Sequence, residues 1–157
     1  MITELKPVSF RMRELQSESM KNILFVCIEN SNRSQMAEAF ARMHGKNIMN
    51  VFSAGSRPAG KINPKAVEAM EILGYDLTAH KSKSTHELIE IEQFLPAGRF
   101  DYVITMGCGD ECPFIPAKHH LDWEIPDPRN MQMKDFIAVR DMIETKVKEL
   151  IEKISAE

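Results

Sequence analysis

The segment Cys27-Ile28-Glu29-Asn30-Ser31-Asn32-Arg33-Ser34 gathers a thiol, a guanidinium and several hydroxyl and amide side chains into one short stretch. Cys27 ends an apolar run and Arg33-Ser34 opens a stretch with helical spacing, which makes the intervening residues a loop at a strand-to-helix junction. A helix N-terminus leaves backbone N–H groups unpaired, and their partial positive charge favours anions. Arg33 adds a planar fork of donors that matches two oxygens of a phosphate-like group. The residues from Ile28 to Ser34 are therefore expected to bind a tetrahedral oxyanion. Cys27 is expected to attack it as a thiolate, which the same field stabilises, with Ser34 donating to the sulfur. Most unpaired cysteines at strand ends are packing residues. Requiring both an arginine and a serine at these offsets, at such a junction, should happen by chance in on the order of one chain in a hundred of this composition.

The elements around the loop must hold it in place. Asn22 to Val26 is a short apolar run without the alternation of a half-wet sheet, so it reads as a buried parallel strand. Ser34 to His44 carries Met36, Phe40 and Met43 at helical spacing. Asn50 to Ser53 is a second strand, closed by Ala54-Gly55. Asn63 and Pro64 read as the N-cap and first residue of a helix that buries Val67, Met70 and Leu73 and stops at Gly74. Ser84 with Glu87 suggests a capping box for a helix reaching Leu95 before Pro96. Phe100 to Met106 is a third buried strand, and Leu121 to Glu124 a short fourth. From about Lys134, Phe136, Ile137, Ile143, Val147, Leu150, Ile151 and Ile154 mark one face of a long closing helix. Strands alternating with helices specify an open α/β domain with a parallel sheet.

With 157 residues, 43% of them hydrophobic, the chain has the size of one domain with one core. Its 20 basic and 23 acidic residues give a net charge of -3, which offers no general attraction for nucleic acid or acidic membranes. Three cysteines and the lack of a charged-then-apolar leader fit a reducing cytoplasm. No apolar run approaches the length that spans a bilayer. Residues 1–19 mix charges with few apolar positions and are expected to be an extension without a functional role, or an upstream reading of a gene that begins at Met20. The domain proper is expected over 20–157. The methionines read as packing material, Trp123 as core or a wall of the site, and His80 and His86, beside Lys81 and Lys83, as a solvated basic stretch.

The loop resembles the phosphate-binding loop of the low-molecular-weight protein tyrosine phosphatases and of their relatives, the thioredoxin-coupled arsenate reductases. The likeness extends from Lys21 to about Ile154, through Gln35-Met36-Ala37-Glu38, Ser53-Ala54-Gly55, Asn63-Pro64-Lys65-Ala66-Val67 and Asp127-Pro128. It implies a flavodoxin-like, four-stranded parallel sheet of order 2-1-3-4 with helices on both faces. It also implies that Asp127 protonates the leaving oxygen, a contribution typically worth a factor of about 10² to 10⁴. Glu29 stands where these families usually carry glycine, and its carboxylate is expected to point outward, away from the anion.

Cys108 and Cys112 decide between the two branches. Hydrolysing a phosphocysteine needs water and an acid, whereas reducing arsenate needs two electrons, which a pair of thiols supplies on closing a disulfide. In the 2-1-3-4 order the first and third strands are neighbours about 4.8 Å apart, with their C-terminal ends on one edge, so Cys108 falls within reach of Cys27. Four extended residues span about 13 Å, while a disulfide requires Cα atoms about 4.4 to 6.8 Å apart, so Cys108 can join Cys112 only across a compact turn. By resemblance the chain is an arsenate reductase with no tightly bound cofactor, using arsenate or phosphate as its oxyanion. Thioredoxin, or another thiol, would be its electron source. The alternative is a tyrosine phosphatase, although Arg129 and Asn130 replace the tyrosines that usually follow the Asp-Pro pair. A third reading has Cys108, Cys112, His119 and His120 holding zinc or arsenite. Adjacent strand residues face opposite sides, which argues against the two histidines ligating together.

Overall fold

The computed structural model describes residues 20–95 and 97–157; the proposed extension and Pro96 lie outside the described residues. Four parallel strands, β1 (Lys21–Cys27), β2 (Met49–Gly55), β3 (Phe100–Thr105) and β4 (Ala117–Asp122), form one sheet in the order β2-β1-β3-β4. Four helices, α1 (Arg33–His44), α2 (Pro64–Glu71), α3 (Thr85–Glu92) and α4 (Met133–Ser155), cover it. The expected order is the observed one.

β1 is central, and from Asn22 to Cys27 every side chain is buried, as a parallel strand covered on both faces requires. Ile23 and Phe25 pack with Met36 and Phe40 of α1, Met70 of α2, and Phe136 and Ile143 of α4. Leu24 and Val26 face the other way, into a smaller core with Leu88 of α3, Leu95 and Ile115. Each large apolar side chain so buried contributes roughly 1.5–3 kcal/mol. Alternation along one strand thus secures helices on both faces.

Element ends shift from the sequence reading in instructive ways. α2 stops at Glu71, and Leu73 is exposed while Ala66, Ala69 and Met70 are buried. The small alanines, not a large residue every turn, let α2 approach the core. Its N-terminus is as expected, with the Asn63 side chain accepting from the Lys65 N–H at 2.9 Å. Ser84 caps α3 by accepting from the His86 N–H, but the helix ends at Glu92 and Leu95 enters the core from the following turn. β4 begins at Ala117, earlier than the apolar residues suggest. It is an edge strand with alternating exposure, so only half its positions need be apolar. Trp123 lies just past β4 with its ring centroid 5.7 Å from that of Phe25, inside the larger core.

The parallel register sets Cys27 opposite Gly55 and Val26 opposite Thr105. The C-terminal ends of β1, β2 and β3 therefore converge at the loop that follows Cys27. Gly55 is required there: a Cβ on it would sit 2.5 Å from the Ile28 carbonyl oxygen and 2.8 Å from the Asn30 nitrogen. Gly55→Ala is expected to displace the loop and destabilise the protein by about 1–3 kcal/mol, measurable by denaturant unfolding. A variant as stable and as active as wild type would contradict this packing.

Candidate functional site: a cysteine loop beside a disulfide

Cys27 and Arg33 line one cavity of about 430 Å³, together with Ile28, Glu29, Ser31, Asn32, Arg57, Glu111, Asp127 and Arg129. The sulfur accepts the Asn30 N–H at 3.2 Å and lies 2.8 Å from Ser34 Oγ. Ser34 Oγ also accepts from Asn30 Nδ2 at 2.8 Å. With the serine oxygen already accepting from Asn30, the Ser34 hydroxyl proton is free to point at the sulfur.

Asn30 is the keystone of the loop. It is fully buried with φ at +50°, a left-handed conformation that asparagine tolerates better than most residues. Its amide nitrogen donates to Ser34 Oγ and, at 3.0 Å, to Ser53 Oγ. Its Oδ1 accepts from Gln35 Nε2 and from the Lys83 N–H, both at 2.8 Å. Two donors and two acceptors are all used. The sequence reading placed Asn30 and Ser34 among the anion-binding residues; in the structure their side chains turn inward, to brace the loop and the sulfur.

Arg33 is fixed from the other side. Its Nη1 donates to the Met106 carbonyl at 2.6 Å and to the Ile125 carbonyl at 3.1 Å, and its Nη2 lies 3.9 Å from Asp127 Oδ2. One guanidinium thus ties the loop to the end of β3 and to the Asp-Pro segment. Asp127 is half-exposed at the cavity wall, and its Oδ1 accepts the Arg129 N–H at 3.0 Å.

Glu29 does not point away as expected. It lines the cavity, and its Oε1 meets Arg129 Nη1 at 3.0 Å. Its charge is compensated by that pairing.

Cys108 and Cys112 are joined in a disulfide with Cα atoms 5.6 Å apart, across a 3₁₀ turn over Gly109–Glu111. The compact turn the spacing demanded is present. Cys108 is buried, with Sγ 4.0 Å from the carbonyl oxygen of Val26, the residue before Cys27. Cys27 itself is free. His119 lies against Tyr102 with ring centroids 4.7 Å apart, while His120 stacks on Phe114 and bonds the Ile115 carbonyl. The two rings have separate partners, so the four-ligand metal reading finds no converging set. Among the described residues no group of three or more His, Cys, Asp or Glu side chains could hold a metal ion.

His80 overturns its reading as part of a solvated stretch. Its Nδ1 lies 2.6 Å from Glu38 Oε2 and 2.9 Å from Gln35 Oε1, and its Nε2 lies 2.6 Å from the Tyr75 hydroxyl. Gln35 in turn bonds Asn30, so a largely buried network runs from Tyr75 to the loop after Cys27. Burial alone would raise the Glu38 carboxyl. The His80 hydrogen bond and the charges of Lys83, His80 and Arg42 outweigh it and hold Glu38 below its ordinary 4.5. The only sequence signal was the place of Glu38 in the family pattern, since a lone acid on a helix gives no hint of burial.

Against known proteins, the family described as low molecular weight phosphotyrosine protein phosphatase matches residues 22–157. The chain belongs to that family. It is 36% identical over 139 residues to a glutaredoxin arsenate reductase of Synechocystis sp., covering 87% of this chain and all of that protein. A solved arsenate reductase in its phosphate-binding state aligns with a TM-score of 0.73 and 33% identity, over 86% of this chain and 99% of the other. The thioredoxin-dependent arsenate reductase of Corynebacterium glutamicum aligns at 0.69 and 30% identity, over 94% of this chain and 73% of that one.

Two outcomes follow. Asn30→Ala leaves several buried groups unpaired, each costing about 1–3 kcal/mol, and forces alanine into a left-handed conformation. Turnover should fall at least about a hundredfold, and kinetics within twofold of wild type would contradict the bracing role. Because Glu38 is held below 4.5 in the fold, its contribution to stability is present above that pH and is lost as pH falls through the folded value. Melting temperature measured from pH 7 to pH 3 should drop more steeply in wild type than in Glu38→Gln; parallel curves would contradict the assignment.

Proposed function

We propose that the chain reduces arsenate to arsenite through a thiol relay, with Cys27 as nucleophile, Asp127 as general acid, and Cys108 and Cys112 as the dithiol. The Cys27 thiolate attacks arsenic(V), and Asp127 protonates the departing oxygen, which leaves as water. Cys108, as thiolate, then attacks Cys27 Sγ. The sulfur–arsenic bond breaks with its electron pair left on arsenic, which departs as arsenite, and a Cys27–Cys108 disulfide remains. Cys112 attacks Cys108, returning Cys27 as thiolate and leaving Cys108 bonded to Cys112. Two thiols have lost two electrons and arsenic has gained them.

The observation that carries this reading is the Cys108–Cys112 bond standing beside a free Cys27. That pattern is the state expected once the internal relay has run. A phosphatase cycle gives those two thiols nothing to do. Cys108 is buried and Cys112 partly exposed, so the bond is presented outward through the second thiol, where a protein dithiol of the thioredoxin or glutaredoxin kind can attack it. The similarity to arsenate reductases whose names carry both reductants supports a thiol donor. A cycle that needs a thiol donor suits a reducing cytoplasm; among the described residues no helix is long and apolar enough to cross a membrane.

Arsenite release and p-nitrophenyl phosphate hydrolysis, measured side by side with and without thioredoxin, test the proposal. Arsenite should form catalytically only with the reductant, and Cys108→Ser and Cys112→Ser should each reduce that turnover by at least about a hundredfold. If both serine variants keep full turnover with thioredoxin, the relay is wrong.

A further inference from the structure

The cavity mouth carries charge pairs that the chemistry above does not use. Glu29 and Arg129 are a hundred residues apart in sequence, one in the oxyanion loop and one after the Asp-Pro pair, and their side chains meet at 3.0 Å. Arg129 is held in that place by two further contacts, with Nη2 at 3.7 Å from Asp127 Oδ2 and its N–H donating to Asp127 Oδ1 at 3.0 Å. A second pair, Arg57 with Glu111 at 3.1 Å, belongs to the same rim.

From this geometry we infer that the Glu29–Arg129 bridge selects a free inorganic oxyanion over a phosphate ester. The inference deepens the function proposed above and rests on that reading for its physiological substrate. A free tetrahedral anion can occupy the cradle with the bridge closed above it. An ester of the same anion carries a substituent that must leave through the mouth, where the bridge links the loop to the Asp-Pro segment. Admitting it separates the pair and leaves the Glu29 carboxylate uncompensated beside an anion of like charge. The pair is half-exposed and adds little to fold stability, as is usual for surface pairs. Its effect is on discrimination, by penalising the wrong ligand. The position that resembling families fill with glycine is therefore where this chain narrows its site.

Calorimetric titration of the full chain with inorganic phosphate and with phenylphosphonate, a non-hydrolysable ester mimic, tests this without any redox step. Wild type should bind phosphate at least about tenfold more tightly than phenylphosphonate. The double variant Glu29→Gly/Arg129→Ala keeps the rim's net charge while opening the mouth, and should shrink that ratio by about tenfold. Arg129→Ala alone, which strands the Glu29 charge, should weaken both ligands. Glu29→Gln keeps the side chain's size and should shift the ratio in the same direction as the double variant, which covers the case where the latter fails to fold. An unchanged ratio in Glu29→Gln and in any folded double variant, or equal binding of the two ligands by wild type, overturns the inference. Failure to release arsenite would leave this ratio intact and instead count against the proposed reduction.

Discussion

A short loop with a left-handed residue at its centre holds its shape only if something inside the turn replaces the hydrogen bonds its backbone gives up. Here that is one carboxamide. Asn30 supplies two donors to Ser34 and Ser53 and two acceptors to Gln35 and Lys83, and its own backbone N–H goes to the sulfur. A full set of buried partners fixes the amide's orientation, which fixes the serine proton toward Cys27. Everything chemical at the site depends on that closure, including the approach of Gly55 to the loop's backbone and the anchoring of Gln35 by His80.

Arg33 extends the closure from one loop to three segments. By donating to the Met106 and Ile125 carbonyls, it holds the end of β3, just before Cys108, and the segment that carries Asp127 against the loop after Cys27. The edge of its fork nearer Asp127 remains turned to the cavity. One guanidinium is thus a structural cross-link and, in the function proposed above, also a ligand for the anion, roles that lysine could not combine because it lacks the fixed planar fork.

Much of this was legible in the chain. The continuous apolar run of β1 and the Arg-Ser pair opening α1 placed the loop, because both are local patterns with one dominant period. The strand order that the family resemblance implied then brought Cys108 near Cys27. What escaped was set by tertiary contacts. His80 looked like a solvated charge, since nothing in a linear pattern reveals that a helix face carrying Glu38 and a distant loop will bury the two against each other. Glu29 was expected to turn away because an acid facing the anion is unfavourable, and its partner Arg129 lies too far off in sequence to be read as compensating it. Leu73 was misplaced for a related reason: helical spacing continues past the point where the backbone turns, and burial follows the backbone.

The central claim is that electrons leave this protein through a disulfide first formed at the nucleophile. Cys112→Ser should stall the relay one step early. Incubated reduced, with arsenate and no external thiol, that variant should release about one arsenite per chain and show a Cys27–Cys108 disulfide by peptide mass mapping. Arsenite release without that bond, or the bond forming equally well with phosphate in place of arsenate, would contradict the account.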